Sequence, residues 1–306
     1  MQRSFIVLYN PISGTRSKKT LLQWLTRKLQ KEGYAFSLHP TDPGGQYQEL
    51  IGKIREEGIT DVIIIGGDGT VNDVVGPLRE SEVRFGIIPM GSGNGLALCA
   101  GISKQKEKAM DIILNGYTSW VDGFLVNQKF ACMLCGIGMD AEIAHRFARN
   151  KRRGLSTYIK ESVLQFFKAK PFRFSLESPE YAISVQAMFI SIANSNQFGN
   201  HFTIAPRASL SDGRLDIVVI KKMNKLKLLW QVGKQVLKGK PQKKIDDSEK
   251  VLYFQTTEIT VHNPQSARVH IDGDVVPTTE RLEFRVLPKA YRLMVPQSED
   301  PDKILH

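Results

Sequence analysis

Cysteine is scarce in this 306-residue sequence, which has three: Cys99, Cys132 and Cys135. So small and odd a number excludes a disulfide framework and favours a reducing cytoplasm. Cys132 and Cys135 have C-x-x-C spacing but lie in an apolar run with no second pair, so they read as packing residues rather than zinc or redox ligands. Long hydrophobic runs are also missing, and a bilayer span needs about 18 apolar residues. The first apolar run, FIVLY at 5–9, is too short for a signal-peptide core. Any meeting with a membrane is therefore peripheral. No G-x-x-x-x-G-K-[ST] occurs, and GSGNGLA at 91–97 does not complete G-x-G-x-x-G, so a Walker nucleotidase and a typical dinucleotide dehydrogenase both lose ground. Acid is in deficit, with 31 Asp and Glu against 42 Lys and Arg and a net charge of +11. That excess suggests an anionic partner. No nucleic-acid motif accompanies the charge, so an anionic membrane surface or phosphorylated small molecules are expected instead.

What is present organises into two parts. Over the first 120 residues, short apolar runs alternate with amphipathic segments, the pattern of strands and helices around a mostly parallel sheet. Strands are predicted at 5–9, 35–41, 61–65 and 85–90, and helices at 18–31, 46–57 and 72–80, with a further helix through LALCAGI. After about residue 122 the pattern turns β-rich, in FRFSLE, AISVQAMFISIAN, RLDIVVI, LYFQTTEITVHN, ARVHIDGD and RLEFRVLP, several of which alternate with period two. FACMLCGIG reads as one more strand, and helical stretches are expected at 154–169 and 223–238. The expected fold class is α/β plus β. A three-layer α/β domain with a mostly parallel sheet at 1–122 precedes a mostly antiparallel β-sandwich at 123–306, whose last residues can pack back on the first domain.

Three glycine-bearing turns each follow a predicted strand: NPISG at 10–14, GGDGT at 66–70 and GSGNG at 91–95. In an open parallel sheet such turns gather at the carboxyl edge, where ligands bind. Glycines there let backbone N–H groups approach an anion, and Thr70, with Asp73 three residues on, is placed to cap the next helix. An acid inside a phosphate turn repels a bare polyphosphate, so Asp68 calls for a metal ion or an acceptor hydroxyl beside it. Both requirements point towards phosphoryl transfer from a Mg-nucleotide.

NPISG, GGDGTVND, IPMGSGNGLA, GIGMDAE at 136–142, APRASLSDGRLDIVVI at 205–220 and VHIDGD at 269–274, in this order, resemble the catalytic domain shared by diacylglycerol kinases, sphingosine kinases and bacterial lipid-kinase relatives. The resemblance implies ATP and Mg2+ as cofactors, with ATP lying between the domains. Its phosphates would be held by Asn10, Pro11, Ile12, Ser13 and Gly14, by Gly66, Gly67, Asp68, Gly69, Thr70, Val71 and Asn72, and by Thr41 and Ser92. Asp68 would serve the phosphates through Mg2+ or orient the acceptor hydroxyl. The family's late D-G-E, whose glutamate takes the acceptor's proton, is here Asp272-Gly273-Asp274, which gives Asp274 that role with a side chain one methylene shorter. SLSDGRL resembles the family's structural metal turn, with Asp212 and the carbonyls of Ser209 and Arg214 as ligands, and Asp140 matches an acid at the acceptor end of the cleft. IDGD and SDG also read as ordinary Asp-Gly turns. The turn GSGNG lacks the acid that diacylglycerol kinases carry after the asparagine and stands closer to sphingosine kinases.

The segment 221–244 holds nine lysines and no acid, with Leu226, Leu229, Val232 and Val236 on one helical face. It suits an anionic lipid surface as well as a packed surface helix. The six histidines form no ligand spacing and read as surface or cleft residues. The function expected is a cytoplasmic lipid kinase, peripheral to the inner face of the membrane and acting in phospholipid metabolism, with a homodimer left open. Two alternatives stand beside it: an NAD kinase-like phosphotransferase, disfavoured because no Asn-Glu pair occurs, and a non-catalytic nucleotide- or lipid-binding regulator.

Overall fold

The structure is a computed structural model, and it describes residues 3–11, 18–42, 45–149, 170–199, 202–221 and 250–297. The described residues divide into two compact units, those within 3–121 together with 289–297, and those within 122–288.

The first unit is built on parallel strands β1 (Ser4–Tyr9), β2 (Ala35–Pro40), β3 (Asp61–Gly66) and β4 (Arg84–Pro89), in the spatial order β4-β3-β1-β2. The central runs Phe5 to Leu8 and Val62 to Ile65 are buried at each residue, which is why they read as unbroken apolar stretches: both faces of a parallel strand are covered. Between the strands run α1 (Lys18–Lys31), α2 (Gln48–Glu56) and α3 (Asp68–Leu78). Helix α1 buries Leu21, Leu25 and Leu29 at four-residue spacing. It gives way to Gly33 at φ +75°, a left-handed position that suits glycine. After β4 come two helices, α4 (Gly95–Cys99) and α5 (Lys106–Asn115), the second of which the sequence reading missed. At the amino end of β3, the buried Asp61 is paired with Arg3 at 3.0 Å and Arg84 at 2.7 Å. This anchor sits at the opposite end of β3 from the glycine turn.

Strand β5 (Tyr117–Val126) leads into the second unit, which continues with β6 (Lys129–Ala131), β7 (Leu134–Gly138), α6 (Met139–Arg149), β8 (Phe172–Glu177), β9 (Ala182–Ala193) and the short ribbon β10 (Gln197–Gly199) with β11 (Phe202–Thr203). It closes with β12 (Leu215–Lys221), β13 (Val251–Thr256), β14 (Glu258–His262), β15 (Val269–Ile271), β16 (Asp274–Val276) and the start of β17 (Arg281–Val295). These pairings are antiparallel and form a β-sandwich. The first half of the long β9 pairs with β8, and its second half lies between β7 and β12. Alternation decides what faces the core: Phe174 and Leu176 of β8, Ile259 and Val261 of β14, and Leu282, Phe284 and Val286 of β17 all enter one apolar cluster. Strand β17 belongs to both units. Its residues from Arg281 to Arg285 pair with β14, whereas Arg292 and Leu293 pair in parallel with Arg84 and Phe85 of β4.

Several expectations need correction. FACMLCGIG is two strands, because at 132–134 the backbone turns to other partners: the N–H groups of Cys132, Met133 and Leu134 donate to the Asp272 carboxylate. Helix α3 starts four residues before the predicted 72, and helix α6 was not foreseen. The helices expected at 154–169 and 223–238 lie outside the described residues. No helix among the described residues is long and apolar enough to cross a membrane.

Candidate active site

In the first unit, the carboxyl ends of β1, β2, β3 and β4 carry Asn10, Thr41, the GGDGT turn and the GSGNG turn in turn. The strand order reverses between β1 and β3, the position at which open parallel sheets bind ligands. The Asn10 amide donates to Thr70 Oγ1 at 3.0 Å, joining the first turn to the second. Thr70 does not cap α3. It lies within the first turn of that helix, the N-cap is the extended residue Gly67, and the Thr70 hydroxyl faces Asn10 instead. The glycines here are required by contact rather than by φ. A Cβ on Gly67 would stand 2.9 Å from Gly91 Cα, one on Gly91 would stand 2.6 Å from Gly67 Cα, and one on Gly66 would meet Thr70 at 2.4 Å. The second and third turns therefore touch backbone to backbone.

Asp68 takes a place the sequence did not suggest. Its Oδ2 accepts the N–H of Gly95 at 3.0 Å and its Oδ1 the N–H of Leu96 at 3.2 Å, so the carboxylate ties α3 to the start of α4. Burial raises its pKa above the ordinary value, and the N–H groups of Gly95, Leu96 and Asn94 pull it part of the way back. The charge that would have repelled a phosphate is thus spent on backbone donors. Asn94, missed in the sequence, completes the brace. It is buried, sits at φ +54°, accepts the Gly91 N–H at 2.8 Å and returns a bond to the Gly91 carbonyl at 2.7 Å. An asparagine between two glycines was the available signal, since asparagine tolerates the left-handed region.

The remaining sequence-selected residues of this unit divide by exposure. Thr41, Gly69 and Asn72 are half-buried, Ser92 and Pro11 are exposed, and Val71 is sunk in the core, which leaves only its backbone for a ligand. Ile12, Ser13 and Gly14 lie outside the described residues. The set that remains suits a polyphosphate: glycine backbone, the amino end of an eleven-residue helix, and small hydroxyl and amide side chains.

In the second unit, IDGD forms a two-residue hairpin turn in which Ile271 pairs with Asp274. Asp272 and Gly273 have φ of +49° and +92°, as a type I′ turn needs, so the Asp-Gly turn chemistry applies here. Asp272 also faces inward to hold the three N–H groups of 132–134, and Asp274 stands exposed at the rim. Asp140 is only 5% exposed. Its Oδ1 accepts the Ala141 N–H at 2.8 Å and its Oδ2 lies 3.4 Å from His270 Nε2. His270 is 1% exposed, which corrects the reading of the histidines as surface or cleft residues.

The turn at 209–214 sits between β11 and β12. Asp212 is exposed, its Oδ1 accepts the Arg214 N–H at 3.0 Å, and the Gly213 N–H donates to Asp122 Oδ2 at 2.7 Å. Ser209 is buried. The donor set of Asp212 and two backbone carbonyls is all oxygen and suits a hard cation that keeps several waters. Among the described residues no cluster of three or more His, Cys, Asp or Glu could hold a metal by side chains alone. A separate groove of about 550 Å³, lined by Arg173, Ser175, Ser184, His262 and Arg281, contains none of the selected residues.

Comparison with known proteins decides the family. Residues 4–126 match the diacylglycerol kinase catalytic domain, and residues 134–295, more than half of the chain, match the YegS C-terminal NAD kinase beta sandwich-like domain. The chain belongs to the diacylglycerol kinase and bacterial lipid-kinase family. It is 28% identical over 303 residues to an uncharacterized protein of Synechocystis, covering 95% of this chain and 70% of that one. It is 26% identical over 273 residues to a protein named diacylglycerol kinase from Bacillus subtilis, covering 88% of each. A solved structure described as a putative diacylglycerol kinase from Bacillus anthracis superimposes with a TM-score of 0.80 at 19% identity, over 96% of this chain and 97% of that one, which shows the fold.

Proposed function

We propose that this member of the family is an ATP- and Mg2+-dependent lipid kinase that transfers the γ-phosphoryl group of ATP to the hydroxyl of a lipid alcohol at an anionic membrane surface on the cytoplasmic side. The observation that carries the reading is the junction of the GGDGT and GSGNG turns at the sheet's carboxyl edge, where Asp68 grips the Gly95 and Leu96 N–H groups and Gly67 meets Gly91 with no room for a Cβ. Asn10, Thr41, Gly66 to Asn72 and Ser92 bind and orient the nucleotide's phosphates, and close positioning of this kind supplies much of the acceleration in phosphoryl transfer. Mg2+, when bound, offsets charge that develops on the transferring oxygens. The turn of Ser209, Asp212 and Arg214 holds a cation in a structural role. Asp274, at the rim of its hairpin, takes the proton from the acceptor hydroxyl. The net charge of +11 favours the negatively charged surface on which the acceptor lies.

The test is incubation with labelled ATP, Mg2+ and a panel of diacylglycerol, sphingoid and related lipids in mixed micelles. Labelled lipid is expected. Its absence across the panel would overturn the reading, and label in NADP when NAD is supplied would replace it with a soluble acceptor. Asp68→Asn, which swaps one acceptor oxygen for a donor facing backbone N–H groups, should lower kcat roughly 100-fold through misplacement of the GSGNG turn. Near-normal turnover in that variant contradicts the role given to the junction.

A further inference from the structure

Between the buried core of the second unit and the exposed Asp274 stands a carboxylate–imidazole pair, Asp140 and His270. His270 lies in the middle of β15, opposite Gly136 of β7 on one side and Val275 of β16 on the other. Its Nδ1 accepts the backbone N–H of Gly273 at 3.3 Å, and its Nε2 faces Asp140 Oδ2 at 3.4 Å. The Gly273 contact selects one tautomer of the neutral ring: a lone pair on Nδ1 for that N–H leaves the ring's proton on Nε2, the nitrogen on the side of the Asp140 carboxylate. The other tautomer would set two N–H groups against each other at the hairpin.

The surrounding chain makes room for this pair. A Cβ on Gly136 would lie 2.0 Å from Asp140 Oδ2 and 2.3 Å from His270 Nε2, so any side chain there would displace one of the two. Gly136 is not among the residues with positive φ, so the space and not the backbone angle calls for glycine. The hairpin is thereby anchored at two successive residues. The Asp272 carboxylate takes the N–H groups of Cys132, Met133 and Leu134, and the His270 imidazole takes that of Gly273. Asp274 follows immediately. A carboxylate one methylene shorter than glutamate has less reach, so its backbone must stand correctly for a proton transfer that works over about 2.6 to 3.2 Å.

We propose that His270, held in its Nε2–H tautomer by Asp140, is a positioning residue that fixes the 271–274 hairpin and so places Asp274 for proton removal. Asp140 then acts inward on the imidazole, and neither of its oxygens is committed to an ammonium group of the acceptor. The proposal rests on the lipid-kinase reading for its kinetic part only.

The experiment compares the full-length wild type with His270→Leu, His270→Asn and Asp140→Asn. His270→Leu is expected to lower kcat at least tenfold with the KM for ATP changed less than twofold, and to speed amide exchange at Gly273 at least tenfold. His270→Asn keeps an acceptor near the Gly273 N–H and should recover most of both losses. Nitrogen NMR of the wild-type imidazole should show the proton on Nε2, and Asp140→Asn, which removes the carboxylate beside Nε2 while the Gly273 N–H still faces Nδ1, should raise the Nδ1–H fraction from its wild-type level without making it the major form. A proton on Nδ1 in the wild type, unchanged Gly273 exchange in His270→Leu, or failure of His270→Asn to restore kcat would each overturn the proposal. If His270→Leu does not fold, the wild-type tautomer and the Asp140→Asn spectrum still decide it. If the wild type labels no lipid, the kinase reading falls, while exchange and tautomer report separately on the pair.

Discussion

Single carboxylates in this protein are distinguished by what they face. Asp272 accepts three backbone N–H groups from residues about 140 positions earlier, so Asp272→Asn leaves the left-handed turn intact while turning an amide donor toward one of them. Leaving such a buried donor unmatched costs about 2 to 3 kcal/mol, and urea unfolding should show a loss of that size. Asp216 behaves in the opposite sense. It is buried, accepts the Tyr253 hydroxyl, and its pKa is raised to about 6, chiefly by burial. A folded-state pKa above the unfolded value near 3.9 means that the protonated acid favours the fold at low pH, and that this contribution is lost as pH rises through about 6. Asp216→Asn should remove the dependence. The difference in melting temperature between variant and wild type, measured in chelator, should grow in the variant's favour between pH 4 and pH 7. A constant difference would show that Asp216 does not titrate in that window.

Elements are placed here by backbone contacts that a sequence shows only as composition. Helix α3 begins at Asp68 because that residue already engages α4, and a reading that kept GGDGT as a loop put the start four residues late. The same glycine-to-alanine change should have opposite signs at two positions. At Gly91 a Cβ meets the Gly67 backbone at 2.6 Å, so Gly91→Ala should push the two turns apart and weaken ATP binding at least tenfold by calorimetry. At Gly52, inside α2, nothing lies within 4 Å, so Gly52→Ala should stabilise by about 0.5 to 1 kcal/mol with binding unchanged. Strands with strong alternation, such as β8 and β14, were legible because one face is wet and the other enters the apolar cluster. The break between β6 and β7 was not, since its cause is the distant carboxylate of Asp272.

At the scale of the whole molecule, the first unit is completed by the last part of β17. Tyr291 packs edge-on against Phe85 with ring centroids 6.0 Å apart, and Leu293, Met294 and Val295 are buried. A fragment of residues 1–121 should therefore melt well below one in which residues 289–297 are rejoined through a flexible linker. Equal melting temperatures would show that this return strand adds little. Burying a large apolar side chain contributes about 1.5 to 3 kcal/mol, so four together are a substantial part of a domain's stability.

The sequence by itself determined the succession of strands and helices and the edge at which the glycine turns collect, because hydrophobic period and turn chemistry are local. It also carried the family resemblance, since ordered motifs are a property of the chain. Only the tertiary structure decided what each acid touches: Asp68 on the amides of Gly95 and Leu96, Asp272 on those of 132–134, Asp140 on His270. A buried charge is held by whichever donors the fold brings to it, and those donors lie 27 to 140 residues away in sequence for Asp68 and Asp272.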